Sequence, residues 1–154
     1  MFDPAQFLDA STDQPSTRRP PLPAGRVLVG VIGEIKMSEW SKKDDPSKNG
    51  VKADVPIEFD LTAYPDLIAQ QGGSVTKVIL SDSIMLDLTP DKKIDWSPGK
   101  NNKIRRYREA LDMNKPGDVW SFRAMIGRPI AAKIGHRTWQ NELFDQIEDV
   151  ARPQ

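Results

Sequence analysis

Apolar and polar residues alternate most cleanly at residues 27–35, where Val27, Val29, Val31 and Ile35 interleave with Leu28, Gly30, Ile32 and Glu34. A run so rich in Val and Ile predicts a β-strand. Gly30 and Gly33 inside it predict the bend or bulge of a tightly coiled strand. A second strand is predicted where Val55, Ile57, Phe59 and Leu61 face one way and Asp54, Glu58 and Asp60 face water. Between the two, Met37 to Gly50 reads as a polar connection. A third strand region runs from Val75 to Leu88 and is expected to break near Ser81-Asp82-Ser83. One helical turn is expected around Pro65 to Ala69, ended by Gly72-Gly73.

The period then changes. Ser97-Pro98 offers an N-cap followed by proline at the first helical position. Ile104, Tyr107, Ala110 and Leu111 fall on one face of a helix that reaches about Met113. Asn114-Lys115-Pro116-Gly117 stops it. A short apolar turn near Phe122 to Ile126 leads to a fourth strand, Pro129 to His136, and a fifth, Trp139 to Val150. A helix between strands three and four of five antiparallel strands predicts a mainly β fold, a β-rich α+β domain built as a five-stranded OB-fold-like barrel. The expected organisation is a proline-rich arm over residues 1–25 and a single domain over 26–151. Pro4, Pro15, Pro20, Pro21 and Pro23 oppose regular structure along most of the arm, with Phe2, Phe7 and Leu8 as its apolar anchors.

Composition narrows the chemistry. The 154 residues contain no cysteine, which removes disulfides, thiol catalysis and thiolate metal sites. No stretch approaches the roughly 18 to 20 apolar residues of a membrane span, and the opening Met1-Phe2-Asp3-Pro4 lacks the basic start of a secretory signal. A cytoplasmic, membrane-free protein is expected. The net charge is zero, yet residues 100–137 hold ten Lys or Arg against three acids, while residues 51–99 hold four against eight. Segregated charge presents local fields to which polyanions respond.

Catalytic constellations are missing from the pattern. His136 is the single histidine, too few for a paired-histidine zinc site and little for a nucleophilic triad. Asp82 with Asp87, or Glu58 with Asp60, has the ligand type for Mg²⁺, but carboxylates on outward strand faces ordinarily meet water. No glycine-rich phosphate loop is present. We therefore expect a binding protein, not an enzyme, with no cofactor and no metal. The informative pairing is aromatic with basic. Trp40 precedes Lys42, Lys43 and Lys48 in the first connection, and Trp139 follows Arg137, with Lys133 upstream in the same strand. In an OB-fold those two connections flank the oligonucleotide face. A base stacked on an exposed ring contributes about 1–3 kcal/mol, with nearby cations tracking the phosphates. Trp96 and Trp120 are expected instead to close the core beneath loops.

The run Pro21-Leu22-Pro23-Ala24-Gly25 before the Ile-Gly-Glu-Ile-Lys strand, the stretch Lys103 to Gly117, and Gly127 to Val150 with its Gly-Arg-Pro and His-Arg-Thr-Trp elements form a further pattern. Together they resemble small phage-encoded OB-fold proteins that bind single-stranded DNA. The resemblance covers most of residues 20–150. It implies DNA replication or recombination in the cytoplasm of an infected bacterium, with a phage recombinase, nuclease or polymerase as partner, and is compatible with a homo-oligomer. The alternative is a protein-binding or virion-associated scaffold module that docks through its arm, ordering on binding.

Overall fold

The computed structural model describes residues 2–154. Six strands form one antiparallel sheet: β1 (Val27–Ile32), β2 (Lys36–Ser41), β3 (Asn49–Asp60), β4 (Lys77–Met85), β5 (Pro129–Trp139) and β6 (Glu142–Ala151). Their lateral order is β2–β3–β1–β5–β6, with β4 also paired to β3. Helices are few and short: α1 (Pro4–Leu8), α2 (Pro65–Gln70), α3 (Asn102–Ala110) and α4 (Phe122–Met125). The protein is mainly β, as the alternation predicts.

β1 and β2 lie one after the other along the same edge of β3. β1 pairs from Gly30↔Phe59 to Ile32↔Ile57, and β2 from Lys36↔Asp54 to Ser41↔Asn49. The bend between them falls at Gly33, whose N–H donates to the Pro56 carbonyl at 2.8 Å. Gly30 is required for close approach, since a Cβ there would sit 2.6 Å from Ile57 Cγ2 and 2.8 Å from the Glu58 carbonyl. The expected polar connection from Met37 to Gly50 is thus largely a hairpin. Its strands escape an apolar reading because β2 buries no side chain fully, so neither of its faces needs to be hydrophobic.

The break expected at Ser81-Asp82-Ser83 is absent, and β4 runs unbroken. Val78, Leu80, Asp82 and Ile84 all point inward. Asp82 is tolerated there because Tyr107 Oη donates to its Oδ2 at 2.8 Å and Lys103 Nζ to its Oδ1 at 2.7 Å. A buried carboxylate with two donors avoids the desolvation penalty of an unpaired one.

The expected five-stranded OB-fold-like barrel is met only in part: the strands form an open six-stranded antiparallel sheet. Among the described residues no ladder joins β4 to β6, so the sheet is open along that seam. α3 bridges it. Ile104, Tyr107 and Ala110 enter the core with Leu28, Ile57, Phe59 and Ile134. Tyr107 and Lys103 hold β4 through Asp82, while Arg106 Nε donates to Asp149 of β6 at 3.0 Å. α3 starts later than Ser97-Pro98 suggests. The Ser97 hydroxyl bonds Asp95 instead of capping a helix, and Asn101 takes a left-handed conformation (φ 51°), which asparagine tolerates better than most residues. The buried Asn101 amide ties the loop together through Asp87 N–H and the Asp87 and Asp95 carbonyls.

The N-terminal segment has two characters. Asp3 caps the short α1, with Pro4 in its first turn. Phe2, Phe7 and Leu8 are not docked anchors: Phe2 stacks on Phe7 with centroids 5.2 Å apart, and all three remain largely exposed. The anchor is Leu22, fully buried in the core. Around it Arg19 grips Asp145 with two hydrogen bonds, at 2.7 and 3.1 Å. The Leu22 N–H also donates to Asp145, and His136 Nε2 lies 2.7 Å from the Leu22 carbonyl. His136 therefore has a structural partner. No helix among the described residues is long and apolar enough to cross a membrane.

Candidate nucleic-acid interface

Strand alternation divides the sheet into an inner face, carrying Ala53, Val55, Ile57 and Phe59 of β3, and an outer face, carrying Gly50, Lys52, Asp54 and Pro56. The register places Trp40 opposite Gly50, Ser38 opposite Lys52 and Lys36 opposite Asp54, so these β2 side chains share the outer face. β4 adds Met85 beside Lys52, Ser83 beside Asp54 and Ser81 beside Pro56.

Trp40 lies across Gly50. A Cβ on that glycine would meet Nε1, Cε2 and Cζ2 of the indole at 2.9, 3.1 and 3.1 Å. The ring thus occupies the space a side chain would take, which leaves it half-buried and fixed in orientation. Its N–H is shielded from solvent without a hydrogen-bond partner among the described residues. The indole also lines an open groove with Val51, Leu88 and Lys92. Lys92 carries the left-handed φ of 63° at the tip of a small hairpin closed by the Leu88↔Ile94 bridge. Lys42, Lys43 and Lys48 sit exposed on the neighbouring β2–β3 tip, where the Lys42 N–H donates to the Lys48 carbonyl at 3.0 Å. Among the described residues these three lysines and Lys92 enter no ion pair, so their charge is available to a ligand.

The second cluster is on the β5–β6 hairpin, whose two-residue turn is Gln140-Asn141 with φ of 50° and 63°. Positive φ at both turn positions matches the twist of the strands it joins. Trp139 is 60% exposed at its end. Arg137 stands opposite Phe144, with its guanidinium 5.2 Å from the ring centroid, while Arg18 lies 4.0 Å from the same ring. Arg137 also reaches the groove along the open seam, lined by Ser81 and Ser83 of β4, Gln146 and Glu148 of β6, and Lys103 of α3.

β4 therefore connects the clusters: from Arg137 the outer face runs over Ser81 and Ser83 to Met85 and Lys52, then to Trp40 on Gly50. Six of the seven residues that the sequence pattern singles out, Trp40, Lys42, Lys43, Lys48, Arg137 and Trp139, lie at the two ends of this track. Lys133 lies at neither end but beside the seam groove, which Glu148 lines. It neighbours Val27, and its ammonium lies 3.8 Å from Glu148. Lys52 and Lys92 belong to the track, and the sequence pattern does not single them out: Lys52 falls between the expected connection and the expected second strand, and Lys92 in an ordinary-looking turn.

Two of the shifted groups belong to the frame around the open seam. Burial, together with the neighbouring Asp82 carboxylate, pushes the Tyr107 phenol far above its usual range, so it stays a hydrogen-bond donor. Hydrogen bonding from Arg106 holds the Asp149 carboxyl below the usual carboxylate value. Asp82 is inward, and each of its oxygens accepts a hydrogen bond, one from Tyr107 and one from Lys103. No protein-family model matches this chain, and no curated protein matches it.

Proposed function

We propose that this chain binds single-stranded DNA without strong sequence preference, by stacking bases on Trp40 and Trp139 while cations at both ends follow the phosphates. The observation that carries this reading is the outer-face track, with a glycine-seated indole beside unpaired lysines at one end and Trp139 with Arg137 at the other. Aromatic platforms separated by a polar surface suit a flexible single strand, whose bases are free to splay onto rings. A duplex keeps its bases stacked and offers no such contact.

The strand order supports an OB-fold reading of the architecture. With β1 and β2 taken as one bent strand, five strands follow the order β4–β3–β1–β5–β6, and α3 lies between β4 and β5 in sequence, spanning the seam. The resemblance to phage single-stranded DNA-binding proteins accords with this. A role in phage replication or recombination in the host bacterial cytoplasm, beside a recombinase, nuclease or polymerase, belongs to the same proposal.

The test is intrinsic tryptophan fluorescence during titration with an unstructured oligothymidine, at low and high salt, with a duplex control. Quenching by the single strand alone, weakening as salt rises through loss of counterion release, is the expected result. The absence of both quenching and a mobility shift overturns the reading. One observation favours a second role: Phe2, Phe7 and Leu8 form an exposed apolar head on an extended tether, as a protein-docking element would.

A further inference from the structure

Apart from Lys103 on the seam groove, the basic stretch around α3 remains outside the track, and so does Trp96. The sequence leads one to expect Trp96 beneath a loop, yet it is 52% exposed. It is held there firmly. Trp120 packs edge-on against it at 5.5 Å with an 82° interplanar angle, and Phe122 packs on Trp120 at 4.8 Å. The Arg108 guanidinium lies 5.4 Å from the Trp96 ring centroid and 5.6 Å from that of Trp120. Arg108 is itself oriented by its Nε, which donates to the Met113 carbonyl at 3.0 Å. Trp96 thus forms one wall of a concavity whose other sides include Lys100, Asn102, Arg105, Arg108 and Asn114.

That composition is an oriented aromatic surface, three cationic side chains and three amides, with no carboxylate in the lining. Lys100 enters no ion pair among the described residues, and Arg105 pairs only with the half-buried Glu109 one turn along the helix. A ligand matching these walls has a flat π-face and a phosphate: a nucleotide unit of a single strand.

The concavity follows the Trp40 groove along the chain. Leu88 and Lys92, which line that groove, belong to the hairpin closed by Leu88↔Ile94, and Trp96 follows two residues after Ile94. We infer that the pocket formed by Trp96, Lys100, Arg105 and Arg108 is a further nucleotide subsite, extending the single-strand path from Trp40 across the 88–94 hairpin onto α3. This rests on the single-strand reading above and adds to it where the strand goes after Trp40.

The experiment compares two oligothymidines, one of about six nucleotides, which occupies the Trp40–Trp139 track alone, and one of about twenty, which exceeds the ~4–16 nucleotides typical of a single OB-fold site. The Lys100→Ala/Arg105→Ala double variant alters exposed side chains only. It is expected to bind the long strand about tenfold more weakly and the short one as the wild type does. The slope of log affinity against log salt should fall by about 1.4, or ~0.7 for each single-strand phosphate that the variant leaves without a cation. Trp96→Ala should weaken the long strand by about 5- to 150-fold, the range for one stacked base. If both variants bind the long strand with wild-type affinity and salt slope, the subsite is refuted while the Trp40–Trp139 track stands. Should Trp96→Ala fail to fold, the double variant decides alone. If the wild-type protein binds neither oligonucleotide, the functional reading and the subsite fall together.

Discussion

At the residue scale, the property that matters most is the seating of one aromatic ring on one glycine. Trp40 is legible as an aromatic beside lysines, but sequence places it in a loop, where a ring has no defined orientation. The register with Gly50 supplies the orientation. Gly50 does not have positive φ, so a side chain there meets no backbone strain; it meets the indole instead. Gly50→Val is therefore expected to keep the fold and evict Trp40 from its seat. Affinity for oligothymidine should fall by about the value of one stacked base, ~1–3 kcal/mol, with Trp40→Ala adding little to the double variant. Thermal melts establish that the hairpin remains, and fluorescence titrations of the single and double variants measure the coupling. Full additivity would show that Gly50 does not act through Trp40.

At the element scale, legibility follows burial. β1, the distal half of β3, β4, β5 and β6 each bury one face, so their alternation is written in Val, Ile, Leu and Phe. β2 and the proximal half of β3, where only Ala53 is fully buried, form a hairpin held mainly by backbone pairing, which side-chain periodicity does not record. The onset of α3 is hidden for a different reason: Ser97-Pro98 has the chemistry of a helix start, but Asp95 captures the serine and the Asn101 amide network sets the chain direction. The inward position of Asp82 is not legible at all, because its partners Lys103 and Tyr107 lie 21 and 25 residues away. This cluster fastens α3 to β4 beside the open seam. Tyr107→Phe keeps the ring and removes the donor, leaving a buried carboxylate oxygen unpaired. The expected loss of stability is about 1–3 kcal/mol, measured as a shift of the denaturation midpoint at unchanged m-value. An unchanged midpoint would mean that water substitutes for the phenol.

At the scale of the whole molecule, the N-terminal segment is divided by function rather than by composition. Prolines run through all of it, and sequence alone cannot distinguish proline that frees a chain from proline that fixes one against a surface. The difference lies in what the flanking residues meet. Residues 2–17 make no buried contact, whereas Leu22 is in the core and Arg19 secures Asp145 of β6. Residues 18–25, a strap against the domain, also cross the end of α2, where Gln70 and Gln71 donate to the Pro21 and Pro20 carbonyls, each at 2.8 Å. Two truncations separate these parts. Removing residues 1–17 should leave the unfolding midpoint unchanged. It should also leave oligothymidine affinity unchanged, because the Trp40–Trp139 track contains none of these residues, while abolishing any partner interaction that uses the Phe2–Phe7–Leu8 head. Removing residues 1–25 should cost stability by at least the ~2–5 kcal/mol of emptying a buried leucine site, since Asp145 loses its arginine and His136 its carbonyl partner at the same time. Equal midpoints for the two truncations would show that the strap contributes nothing to the fold. Loss of DNA binding on removing residues 1–17 alone would place the head in the interface and redraw the path of the strand.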